Sequence, residues 1–261
     1  MRCMLIVNAD DYGLEGRVNQ AVVRCFHEGA CTSATIMANM PGFEEACSLA
    51  IEHKFHKHVG MHLVLNEGIP LTADIRQEKI FCTEEGEFCL SRESPIFSLS
   101  TRQKHALAAE IRGQIRRCRE RGIPISHVDS HHHVHTEWGI AAVLIPIVRE
   151  EGIPFIRIAR NLVKNREIVK RVYKYLYNAN LGWAKLRAVR YFGSVDEYIR
   201  FLDAKGDANG TTEIMIHPHY KESDLYVTSS MGLGEFSGLM GPHLEKETAV
   251  SFRDLISRET E

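Results

Sequence analysis

No apolar run in the chain approaches the roughly 18 residues that a membrane-spanning helix needs. The one nearest the start, Met4 to Val7, has only the length of a strand and is soon followed by acids. Neither a membrane partner nor a secretory leader is therefore expected. Paired cysteine is missing as well. The seven cysteines are odd in number, scattered, and include no C-x-x-C, which signals neither a zinc ribbon nor a disulfide framework. Reduced thiols and a cytoplasmic location are the expectation. Nor is there an excess of one charge: 32 basic against 34 acidic residues leave a formal charge of −2, so nothing argues for nucleic acid as a partner. There is no internal repeat and no low-complexity tract.

What is present is regular alternation. Short β-like runs at Leu5–Val7, Ser33–Ala38, Val59–Leu65, Ile125–Ser130, Phe155–Ile158, Ala188–Phe192 and Glu213–Ile216 are separated by amphipathic stretches. The latter lie at Val18–His27, Phe43–His53, Gln103–Arg121, Trp138–Glu151, Arg166–Leu181 and Val195–Ala204, with a last helix near Leu244–Ile256. Strand–helix alternation with little hairpin signal predicts a parallel sheet. About seven such units in 261 residues fit an α/β protein with a distorted, TIM-like (β/α) barrel as one domain over 1–261. Gly122-Ile-Pro and Gly152-Ile-Pro stop two of the helices. Two stretches, about 66–100 and 219–242, resist the pattern and are expected to be long loops.

Polar residues fall where the strands should end, which is where a barrel collects its functional groups. The first strand delivers Asp10 and Asp11. The third carries His62 inside an apolar run. The fourth reads His127-Val128-Asp129-Ser130-His131-His132-His133-Val134-His135, so that five of the fourteen histidines stand within nine positions. Strand alternation places His127, Asp129, His131 and His133 on one face. Alone, an Asp pair is an ordinary helix cap and a lone strand histidine an ordinary core residue. Together they supply two imidazoles and a carboxylate from separate strands, a donor set that leaves coordination positions open for water and substrate. His217 ends a further strand, and imidazole suits a general acid because it titrates near neutrality without special tuning. Arg157 faces inward on the fifth strand, as a partner for a sugar phosphate or for a buried acid.

These motifs, Asn8-Ala-Asp-Asp-Tyr-Gly13, Gly60-Met-His-Leu63, Asn66-Glu-Gly-Ile-Pro-Leu-Thr72, the His127–His135 block and Glu213-Ile-Met-Ile-His-Pro218, resemble the YdjC-like carbohydrate deacetylases. The resemblance implies a barrel related to polysaccharide deacetylases and removal of acetyl groups from small N-acetylated sugars such as chitooligosaccharides or a phosphorylated disaccharide. It also implies one divalent metal on Asp11, His62 and His131, usually magnesium, with Asp10 as base and His217 as acid. Asp129, His133 and Arg157 would stand behind these groups or against the substrate. Zinc suits the same donors, and a homodimer is the expected assembly. Three other readings remain: a glycoside hydrolase using Asp10 and Asp129, a metal-dependent phosphoesterase, and a non-catalytic sugar- or metal-binding protein.

Overall fold

The strands are short and almost wholly apolar because both of their faces are covered, as in parallel sheets generally. Ile6, Val7, Ala9, Val59, Met61, Val128, Ile214 and Ile216 are all completely buried. A computed structural model describes residues 4–91, 95–163, 167–205, 209–244 and 249–257. Its main sheet contains β1 (Met4–Tyr12), β2 (Ser33–Ile36), β3 (Val59–Leu63), β4 (His127–Ser130), β5 (Phe155–Ile156), β6 (Tyr191–Ser194) and β7 (Thr211–Ile216). All pairings are parallel, in the order β5-β4-β3-β2-β1-β7-β6.

The sheet curls into a half-barrel. Its outer strands approach each other only through irregular chain. The Ile156 amide donates to the Arg187 carbonyl at 3.1 Å and the Asn161 amide to the Phe192 carbonyl at 3.1 Å, while the Asn161 side chain accepts from the Phe192 amide at 2.9 Å. This broken seam is the distortion of the barrel. Outside run α1 (Gly16–His27), α2 (Phe43–Glu52), α3 (Ala73–Arg76), α4 (Thr101–Glu120), α5 (Trp138–Glu150), α6 (Ile168–Trp183) and α7 (Val195–Lys205). α4 begins at a capping box in which Ser100 and Gln103 satisfy each other's amides, which sharpens its start. Gly122 and Gly152 take φ of 79° and 67°, the left-handed conformation that ends a helix. Among the described residues no helix is long and apolar enough to cross a membrane.

The last segment closes the barrel floor. Residues 249–257 run under the N-terminal ends of the strands, with the Val250 amide on the Leu5 carbonyl at 3.0 Å and Ser251 Oγ 2.8 Å from His58. Phe252, which begins α9 (Phe252–Ser257), stacks on His127 at 3.8 Å and lies 5.3 Å from Phe155.

Several boundaries differ from the pattern reading. The segment expected as one loop over 219–242 contains an antiparallel hairpin, β8 (His219–Lys221) with β9 (Asp224–Tyr226), followed by α8 (Leu233–Met240). A ladder of only three residue pairs is too short to show a period. The helix expected at 244–256 is found only in its later part. Among the described residues Leu244 and 249–251 are not helical and Phe252–Ser257 are, while residues 245–248 lie outside the described residues, as does Arg166 at the expected start of α6.

Phe252 is 1% exposed, so Phe252→Ala leaves a cavity between His127 and Phe155. A loss of about 3–5 kcal/mol in unfolding free energy is expected, read from the midpoint of denaturant unfolding.

Candidate metal centre and its charge network

Consecutive side chains on a strand point to opposite faces, yet Asp10 and Asp11 both reach the barrel mouth. The reason is a bulge. β1 pairs Ala9 with Ala34 and then Tyr12 with Ile36, so two residues oppose one. Asp11 takes up the slack with φ of 64°, a conformation aspartate tolerates better than bulky residues. The bulge re-aims both carboxylates.

Asp11 Oδ1 lies 3.1 Å from His62 Nε2 and 2.9 Å from His131 Nδ1. One donor atom from each of the three residues falls within 4.8 Å of the others. A cation holding ligands at about 2.0–2.2 Å keeps them within about 4 Å of one another, so the cluster has nearly the required size. Its charges also suit a cation. Burial would raise the pKa of Asp11, but hydrogen bonds from His131 and His62 hold it well below the usual carboxylate range. Burial would lower that of His62, but Asp129 and Asp11 push it up to about 10. The negative surroundings thus keep a proton where a divalent ion would otherwise answer the charge. Glu67, on the loop after β3, comes within 3.2 Å of His131 Nε2.

His62 is oriented from behind. Its Nδ1 is 2.6 Å from Asp129 Oδ1, an arrangement that fixes tautomer and ring plane. Thr35 donates to Asp129 at 3.1 Å and accepts from Asn8 at 3.0 Å, and Asn8 also donates to Asp10 at 2.8 Å. His127 Nε2 is 3.0 Å from Asn8 Oδ1.

Arg157 anchors this network. Completely buried, it donates from both Nη atoms to Asp10 at 2.7 and 2.8 Å and from Nε to Glu213 at 2.8 Å. Its Nη1 also touches Asp129 at 2.5 Å, and its guanidinium carbon lies 4.6 Å from the centre of the Phe192 ring. Of the two roles open to Arg157 from sequence, the observed one is the ion pair; it does not line the cleft. Burial alone would raise the pKa of Asp10, but Arg157 overrides it and holds the carboxyl well below its ordinary range. One guanidinium cannot do this for three acids. For Glu213 burial prevails over Arg157, and the pKa is pushed up to about 7. Asp10, His62 and Asp129 also have mutually close donors, but Arg157 already occupies both carboxylates, so they do not form a second cation site.

The fourth strand ends earlier than alternation suggests. β4 stops at Ser130, and His132 and His133 have φ of 51° and 57°. His127 and Asp129 do share the buried face, whereas His131 and His133 are placed by this left-handed turn. His133 nevertheless lines the same cleft as Asp10, Asp11, His62, His131 and His217, a space of 700 Å³. It is held neutral, its pKa driven down first by burial and then by Arg157. His217 is half exposed in that cleft, with Nε2 4.0 Å from Asp10 Oδ2.

The structure therefore brings Asp10, Asp11, His62, His131, Asp129, His133, Arg157 and His217 together. Glu213, Thr35, Asn8 and Glu67 were not singled out from sequence. Glu213 had a signal, an acid inside an otherwise apolar strand. Asn8 lies in the Asn-Ala-Asp-Asp motif but its residue type suggested no role, and Thr35 carried no signal, since threonine is ordinary at such a position.

The chain is a curled parallel α/β half-barrel that gathers an Asp–His–His cluster, a candidate cation site, at the carboxyl ends of its strands. Residues 4–249 match the model for YdjC-like protein, and the chain belongs to that family. Three relatives are named carbohydrate deacetylases. That of Geobacillus stearothermophilus is 33% identical over 94% of this chain and 92% of its own. That of Halalkalibacterium halodurans is 32% identical over 87% and 89%, and that of Brevibacillus brevis 31% identical over 87% and 85%. The same fold occurs in a crystal structure from Enterococcus faecalis V583 given the provisional name cellobiose-phosphate cleavage protein. It has a TM-score of 0.73 and 21% identity, over 98% of this chain and 99% of that one.

Glu213 binds a proton in the folded state up to about pH 7 but releases it near 4.5 once unfolded. Stability conferred by that proton is full below about pH 4.5 and is lost as pH rises toward 7. Glu213→Gln should flatten this slope, as measured by chemical denaturation at several pH values.

Proposed function

We propose that the chain hydrolyses the acetamide of a small N-acetylated sugar, with one divalent cation held by Asp11, His62 and His131, Asp10 as base and His217 as acid. The observation that carries this reading is the convergence of all five residues on one cleft, within a family whose curated relatives are carbohydrate deacetylases. By that kinship the chain is itself a carbohydrate deacetylase. Chitooligosaccharides, or a phosphorylated disaccharide, are the substrates that the family resemblance favours. It also favours magnesium, while two imidazoles and one carboxylate suit zinc equally.

Such a cation supplies an activated water and a polarised carbonyl oxygen. The protein's own residues do the proton work. Asp10, kept ionised by Arg157, takes a proton from the attacking water. His217, whose Nε2 lies 4.0 Å from Asp10 at the rim of the cleft, gives a proton to the nitrogen as the C–N bond breaks, releasing acetate and a free amine. Asp129 holds the His62 ring in place for its ligand role.

The glycoside hydrolase reading loses its carboxylate pair. Asp10 and Asp129 both contact the same Arg157 Nη1, and Asp129 is completely buried. No sugar fits between them.

Acetate release from N-acetylglucosamine and chitobiose should disappear after chelation and return on adding a divalent ion. Retained activity in excess chelator would overturn the metal role. Asp10→Asn should lower kcat by about 10²–10⁴-fold while leaving the stoichiometry of bound metal unchanged by elemental analysis. Activity near the parent level would remove Asp10 from the role of base.

A further inference from the structure

A second cleft, 660 Å³ in volume, opens beside the first and shares His133 and Arg160 with it. The two adjoin at these residues, with the candidate metal centre in the first cleft. The outer cleft differs in chemistry. Phe97, Ile158, Ala159, Val169, Tyr173 and Phe192 line it, and at its rim Phe97 and Val169 remain 69% and 81% exposed. His133 meets Phe192 edge-on at 5.7 Å, so a ring of the second cleft packs on a residue common to both.

Charged side chains share the lining. Glu137 accepts from the Ile96 amide at 3.1 Å, Glu167 pairs with Lys170 at 2.8 Å, and Arg160 and Lys174 stand beside them, while the backbone groups of the wall are turned to the protein. The Ala159 amide donates to the Asn178 side chain at 2.8 Å, and its carbonyl accepts from the same side chain at 3.1 Å. The Thr136 hydroxyl donates to the His133 carbonyl at 2.9 Å. The Thr136 carbonyl accepts from the Tyr173 hydroxyl at 2.7 Å, and Trp138 packs against Tyr173 with ring centres 5.9 Å apart. A sugar ring laid against Ile158, Ala159 and Thr136 would bring hydroxyls to wall groups whose hydrogen bonds are already made, and desolvating those hydroxyls would oppose binding. An alkyl or aryl group would lose only contact with water.

We infer that the outer cleft is a binding site for an apolar aglycone, so that the substrate is an N-acetylated sugar glycosidically linked to a hydrocarbon group. The sugar occupies the inner cleft and the hydrocarbon lies between Phe97 and α6. The inference rests on the deacetylase reading for the inner cleft only. Discrimination would come from area removed from water, which grows with each methylene of the aglycone.

The test compares methyl and hexyl β-glycosides of N-acetylglucosamine by acetate release. The hexyl compound should have a kcat/KM roughly tenfold or more above the methyl one, mostly through KM. Val169→Asp and Phe97→Ser change exposed side chains and should bring that ratio close to one. A ratio near one in the parent protein would overturn the inference. So would chitobiose outperforming the hexyl glycoside and losing that advantage in the two variants, which would make the outer cleft a saccharide site. If no N-acetyl sugar releases acetate, the deacetylase reading fails, and calorimetric titration with the hexyl glycoside decides separately. Binding weakened in Val169→Asp sustains the apolar site, and equal affinity of both proteins removes it.

Discussion

Everything at the barrel mouth depends on one buried guanidinium facing three buried acids. Asp10, Asp129 and Glu213 lie on three different strands, Arg157 directly follows a fourth, and all are nearly or completely buried. Isolated charges would be costly there, and a buried ion pair is tolerated only with close contacts and satisfied hydrogen bonds. Arg157 meets that condition by donating from Nε and both Nη atoms while Phe192 lies against its guanidinium. The arrangement also ties the two sides of the curled sheet together, since Arg157 follows the edge strand β5 whereas Asp10 and Glu213 lie on β1 and β7. Charge balance therefore contributes to shape where the seam between the sheet edges has few hydrogen bonds.

The same balance divides labour among the acids. Asp10 receives the bidentate contact and stays ionised, Asp129 is turned toward His62, and Glu213 has the weakest claim on the positive charge. Asp10 and Glu213, chemically similar, thus acquire opposite shifts in proton affinity from position alone. On the cation side, the order is Asp129, then His62, then Asp11, each fixing the next. The β1–β2 bulge delivers Asp11 to the end of that chain.

Much of this was legible in the residues. Apolar periodicity located the seven strands of the main sheet, because fully covered strands leave uninterrupted hydrophobic runs. Asp11, His62 and His131 stood out because polar side chains at strand ends have few purely structural reasons to recur. The register of the His127–His135 block was legible only as far as Ser130. Two successive left-handed residues at His132 and His133 break the alternation, and histidine advertises such a conformation less clearly than glycine does. The hairpin at 219–226 was hidden by its brevity. The supporting shell of Asn8, Thr35 and Glu213 was hidden for another reason: its meaning lies in partners distant along the chain, which no local pattern reports.

The bulge in β1 has a mechanical corollary. Asp10 and Asp11 share a peptide link, yet one leans on Arg157 and the other on the two imidazoles. Under the proposed reading, whatever draws Asp11 toward an ion would also turn the carboxylate beside it, so that loading the site and aiming the proton acceptor would be geared to a single short piece of backbone.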